Sequence, residues 1–150
     1  MPLKRALAWI LPVMLCIAVL PACAADCRPQ VRDGWIRKPP ADLPMMAGYA
    51  RIENGCRERI VVVAASSAAF KDTSLHATVV EGGISRMRPV NQVRIEAGRT
   101  AEFKPGGMHL MLMQPKQRLR QGEEVEIRFE LADGRSLRGQ FEVKGPRAVR

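Results

Sequence analysis

Between residues 31 and 143 the sequence breaks into short apolar runs, alternating or β-branched, with turn signals roughly every ten residues. Nothing in that span keeps the 3.6-residue apolar spacing of an amphipathic helix. A chain of this kind buries its apolar faces by pairing strands, so the expected fold is all-β, an antiparallel sandwich or Greek-key barrel. The C-terminal pair is the clearest case. Val125, Ile127, Phe129 and Leu131 alternate with charged residues, Asp133-Gly134 supplies a turn, and 137–143 returns. Earlier strands are expected at 31–37, 47–53, 59–64, 74–81, 84–87, 93–96, 100–104 and 108–113. Trp35 and Tyr49 read as core, Asn54-Gly55 as a turn, and 38–46, with three prolines, as a connection.

The first 25 residues stand apart. Lys4 and Arg5 precede an apolar run from 6 to 20, and Ala22-Cys23-Ala24 offers small residues for cleavage, the pattern of a secretory signal peptide. Pro12 interrupts the run, which is short for a membrane span. Leu20-Pro21-Ala22-Cys23 also resembles a bacterial lipoprotein box, although Pro21 fits it poorly. Three parts follow: a signal peptide at 1–25, one β domain at 26–143 and a short basic tail at 144–150 that is expected to fray. The expected location is the periplasm, with membrane attachment only if Cys23 is lipidated.

The formal charge of +9 falls to about +7 once Lys4 and Arg5 are removed. The basic residues are scattered and are not interleaved with aromatics, which disfavours nucleic acid as a partner. An acidic protein surface or anionic headgroups suit the charge better, and a solvated basic surface suits it equally. Cys27 and Cys56 remain after processing. In an oxidising compartment they read first as a disulfide; a reduced pair would instead offer a soft metal site.

Chemistry concentrates in Pro105-Gly106-Gly107-Met108-His109-Leu110-Met111-Leu112-Met113. As a strand it puts His109, Met111 and Met113 on one face and Met108, Leu110 and Leu112 on the other. Taken alone, such a run reads first as methionine filling a core and only second as a metal site. The second of the two histidines, His76, lies in a strand-like run, and Met87 sits between Arg86 and Arg88, outside any apolar run. Two imidazoles and two thioethers, His76, Met87, His109 and Met111, form a donor set suited to soft, monovalent copper and poorly suited to hard cations. Neutral thioethers do not titrate, so pH would act on such a site through the imidazoles. Met45 and Met46 fall in the proline-rich connection and read first as a cap on the barrel end, with a flexible docking surface or a transient copper foothold as the alternatives. Met113 lies about 7 Å beyond Met111.

The spacing of these four residues resembles a known motif. Ten residues separate His76 from Met87, twenty-one separate Met87 from His109, and Met111 follows after one. This is similar to the H-x10-M-x21-H-x-M copper motif of the periplasmic copper chaperone family called PCuAC. The flanks match too: Asp33-Gly34-Trp35-Ile36-Arg37 with Pro39-Pro40, Ala47-Gly48-Tyr49, Ser74-Leu75-His76, Met87-Arg88-Pro89-Val90 and the 105–113 stretch. The resemblance implies a cupredoxin-like barrel holding one Cu(I) through His76, Met87, His109 and Met111. It also implies a non-enzymatic, monomeric carrier for cytochrome c oxidase copper-centre assembly or for copper homeostasis. Partners would then be copper-donating or copper-accepting proteins, such as an oxidase subunit or another chaperone. Some members end in a Met- and His-rich tail that takes a second, oxidised copper. Lys144-Gly145-Pro146-Arg147-Ala148-Val149-Arg150 has no such residues, so Cu(II) capture there is not expected. The Cys27/Cys56 pair is an addition to the family pattern.

Two other readings stay open at this level. One is a redox-active copper protein, disfavoured because no cysteine lies near the 108–113 strand to supply a thiolate. The other is a metal-free extracytoplasmic interaction module whose Met and His are only packed. No paired carboxylates, nucleophile motif or phosphate loop point to an enzyme.

Overall fold

The computed structural model describes residues 27–41 and 43–148. The expected signal peptide, Cys16, Cys23 and the last two residues of the tail lie outside the described residues. The described part is all-β. Its strands are β1 (Gln30–Arg37), β2 (Met45–Glu53), β3 (Ile60–Ser66), β4 (Phe70–Glu81), β5 (Ile84–Pro89), β6 (Val93–Ile95), β7 (Thr100–Phe103), β8 (Met108–Pro115), β9 (Glu124–Leu131) and β10 (Ser136–Lys144). They form one hydrogen-bonded sheet in the order β5-β4-β8-β7-β2-β1-β10-β9-β3-β6, with β8 also pairing β2.

That sheet curls round a single core. Phe103 of β7 and Phe129 of β9 have ring centroids 6.0 Å apart although β2, β1 and β10 separate their strands. The core cluster draws Ile36, Ile52, Val62, Leu75, Ile95, Phe103, Leu110, Phe129 and Phe141 from every strand but β5. Strict alternation on β9 and β10 buries every second side chain, as the pleat requires.

Pairing is not wholly antiparallel. β1 runs parallel to β10, from Gly34 opposite Phe141 to Arg37 opposite Lys144, and β7 meets β8 in parallel at one rung. A parallel pair needs a long crossover, and here the domain itself supplies it between its first and last strands. Gly34 is required for that closure: a Cβ there would sit 2.4 Å from the Gln140 carbonyl oxygen.

Two local expectations, for Met45 and Met46 and for the tail, need adjusting. Met45 and Met46 belong to β2, because the prolines end at Pro44 and leave the next amides free to pair with β8. Trp35 and Tyr49 are buried, as expected, and pack on each other beside the main core cluster, 4.5 Å apart between ring centroids. The Arg37 guanidinium caps them, 5.3 Å from each ring. Burial raises the Tyr49 phenol above its ordinary pKa, with Arg37 pulling the other way. In the tail, residues 145–148 turn back, and the Ala148 carbonyl accepts a bond from Arg37 Nη2 at 2.9 Å, so this part is tied down.

Cys27 and Cys56 form a disulfide between the segment before β1 and the β2–β3 connection. Closing a 29-residue separation contributes about 3.5 kcal/mol in the chain-entropy picture.

Candidate metal centre

The four candidate ligands come from three adjacent strands. β4 and β5 form a hairpin turned at Gly82-Gly83, and β8 pairs along the other side of β4. Register decides which side chains meet. His76 lies directly opposite His109, Ser74 opposite Met111, and Thr78 opposite Met87. Directly opposed residues share a face, as do residues two apart. His76, Met87, His109 and Met111 therefore share one face of the sheet, the one turned away from Leu75, Leu110 and Leu112. Met87 and Met111 lie on either side of the histidine rung.

Alternation also explains Met87 among its arginines. Arg86 and Arg88 point to the opposite face, where Arg88 Nη2 meets Glu81 Oε2 at 2.6 Å and Arg86 lies 4.0 Å from the same oxygen. Met87 itself is 58% exposed on the edge strand.

His109 is the most constrained of the four, at only 4% exposure. Its Nδ1 lies 3.1 Å from the Gly107 carbonyl. A carbonyl only accepts, so Nδ1 carries the proton and donates, leaving Nε2 with a bare lone pair. That Nε2 is buried and has no hydrogen-bond partner among the described residues. A buried acceptor without a partner costs about 1–3 kcal/mol. A metal ion is the partner such a nitrogen fits, with the Nδ1–H anchored behind it in the manner of ligating histidines.

His76 faces it across the rung. The ring centroids are 6.1 Å apart and the planes 23° from parallel. His76 is partly buried, with Nδ1 3.4 Å from Ser74 Oγ. No group of three or more His, Cys, Asp or Glu able to hold a metal occurs among the described residues. The candidate donors on this face are imidazole nitrogen and thioether sulfur, which suit a soft monovalent ion.

The turn before β8 sets up this arrangement. Pro105 and Gly106 occupy the central positions of a tight turn closed by Gly107 N–H to Lys104 O at 3.0 Å, and Gly106 has φ +77°. The turn aims the Gly107 carbonyl back, where it accepts from Thr78 N–H at 3.1 Å as well as from His109. One carbonyl thus fixes both the β4 strand beside His76 and the tautomer of His109. Gly106→Ala is expected to cost about 1 kcal/mol in denaturant unfolding. Gly107→Ala, with ordinary φ and its nearest neighbour at 3.5 Å, should cost well under half of that. Equal losses would contradict this account of the turn.

Asn54 is a residue whose importance the sequence reading missed. It is 1% exposed, and its Nδ2 lies 2.8 Å from the Glu58 carbonyl and 3.0 Å from that of Ile95. The Cys56 amide donates to its Oδ1 at 3.1 Å. Followed by glycine, it reads as a simple turn; in the fold it stitches the β2–β3 connection to β6.

Comparison with known proteins agrees with this architecture. A family model described as "Putative lipoprotein LpqE-like" matches residues 30–143. The chain belongs to the LpqE-like family. A curated relative from Leifsonia xyli subsp. xyli, named "Putative lipoprotein Lxx21020", is 33% identical over 106 residues, 70% of this chain. The LpqE-like chain spans 63% of that relative's length. Among solved structures, apo-DR1885 from Deinococcus radiodurans is 28% identical, with TM-score 0.63, covering 100% of this chain and 97% of its own. The CuI form of DR1885 is 30% identical, with TM-score 0.61, covering 81% and 83%. The copper-bound PCuAC domain from PmoF2 has TM-score 0.64 and covers 77% and 92%, and its 16% identity speaks to fold alone. The family match and these structures support the PCuAC assignment drawn from the sequence.

Proposed function

We propose that this LpqE-like chain is an exported carrier of Cu(I), holding one ion between His76, Met87, His109 and Met111 and passing it to a partner protein. The observation that carries the reading is the bare, buried Nε2 of His109, its tautomer set by Gly107 and its ring facing His76. Two thioethers on the same face complete a soft donor set. The likeness to DR1885, solved with CuI, supports copper as the cargo. A relative named as a lipoprotein and the leader-like first 25 residues support export to the periplasm.

The gradient of burial suits delivery. His109 is enclosed while Met87 stands on an exposed edge strand, so an incoming partner ligand can replace the Met87 thioether first. Each exchange forms one bond to copper as another breaks, with no change of oxidation state. Assembly of the cytochrome c oxidase copper centre, or general copper homeostasis, is the role this chemistry fits. Among the described residues a blue-copper role lacks its thiolate, since Cys27 and Cys56 are joined to each other. Anaerobic titration with Cu(I) against a chromophoric chelator should show one equivalent held in competition. Failure to compete at any chelator ratio would sink the carrier reading.

A further inference from the structure

The face that carries the four-residue site does not end at Met111. Along β8 the next residue on that face is Met113, and on β2 the residue directly opposite Met113 is Met45. Directly opposed residues stand about 5 Å apart, and Met113 lies about 7 Å along the strand from Met111. Asp72 of β4 sits opposite Met113 on its other side, so the row across three strands reads Asp72, Met113, Met45. Flanking Met111 are two small residues, Ser74 and Ala47, which leave its thioether room to turn either way along the face.

Core filling does not account for this pair. Met46 is the methionine of β2 that fills the core, at 8% exposure, whereas Met45 is 40% exposed. The rung is also held firmly: Gln114, next to Met113, donates its amide to the carbonyl of Pro44, next to Met45, at 2.6 Å. Two thioethers are thus fixed side by side on an open surface, within reach of a third that serves the main site, beside a carboxylate that favours a cation.

From this geometry we infer a second, weaker site for a soft monovalent ion, formed by Met45 and Met113 with Met111 shared between the two sites. It rests on the Cu(I) reading above and extends it. The ion moves between sites by thioether exchange at Met111, keeping its oxidation state, so the row is a landing place from which the His76–His109 pair is loaded.

Ag(I), a soft monovalent ion that does not change oxidation state under these conditions, is the probe. Purified protein labelled with 13C at its methionine methyls is titrated and followed by NMR. The first equivalent is expected to move Met87 and Met111. The second should move Met45 and Met113, while Met46 and Met108 stay still. In M45L/M113L, a volume-conserving pair of changes, the second stage should vanish and the first persist. Met45 and Met113 unmoved through several equivalents would overturn the second site, and so would a second stage that survives in M45L/M113L. A response at Met45 and Met113 with Met87 silent throughout would sink the four-residue reading and still support the thioether pair.

Discussion

Replacing His109 with leucine is expected to weaken Cu(I) binding by more than about 100-fold while leaving the unliganded protein as stable as before, or more so. The two effects have separate causes. Binding falls because Nε2, the enclosed donor of the site, is gone. Stability holds because that nitrogen is buried without a partner, so removing it relieves a desolvation cost, and leucine occupies a similar volume. The bond from Nδ1 to Gly107 is lost, yet the Gly107 carbonyl keeps its bond from Thr78. A histidine that merely packs would give the reverse pattern, with stability lost and metal binding unchanged. Chelator competition and denaturant unfolding on the same samples separate the two.

Asn54→Ala is expected to have the largest effect on the fold itself, about 3 kcal/mol, or on the order of 10 °C in Tm. Its side chain serves the carbonyls of Glu58 and Ile95 and the amide of Cys56. Removing it leaves the buried Ile95 carbonyl and the part-buried Glu58 carbonyl and Cys56 amide without this partner at once. Were Asn54 only a turn residue, the change would cost under about 1 kcal/mol. Thermal unfolding with the disulfide intact decides between these values, and a loss below 1 kcal/mol would refute the bridging role.

The strand pattern was legible wherever one face of a strand is buried and the other wet. On β9 and β10 every second residue declares its side, and the Asp133-Gly134 turn fixes the register between them. The candidate site was legible for the same reason, since alternation alone put His109 and Met111 on one face of β8. What alternation cannot give is which strands become neighbours. That His76 and His109 share a rung depends on β4 pairing with β8, some thirty residues away in sequence. The parallel closure of β1 on β10 was hidden likewise, because no local residue marks a partner at the far end of the domain. Asn54 was hidden by its own neighbour: an Asn before Gly is a hairpin signal, and the three carbonyls it faces, at 58, 95 and 96, come from elsewhere in the chain. Trp35 was legible as a buried residue from its size. Its cover by Arg37 and Lys144 was not, because Lys144 reaches it only through the pairing of β1 with β10.

The central claim is that copper sits between two imidazoles and two thioethers. X-ray absorption at the copper K-edge on the anaerobic one-equivalent Cu(I) protein tests it most directly. Two nitrogen and two sulfur scatterers, with the edge of a three- or four-coordinate Cu(I), are the predicted result, and one sulfur should disappear in Met87→Leu. A first shell of sulfur alone, or of nitrogen and oxygen without sulfur, would contradict the account.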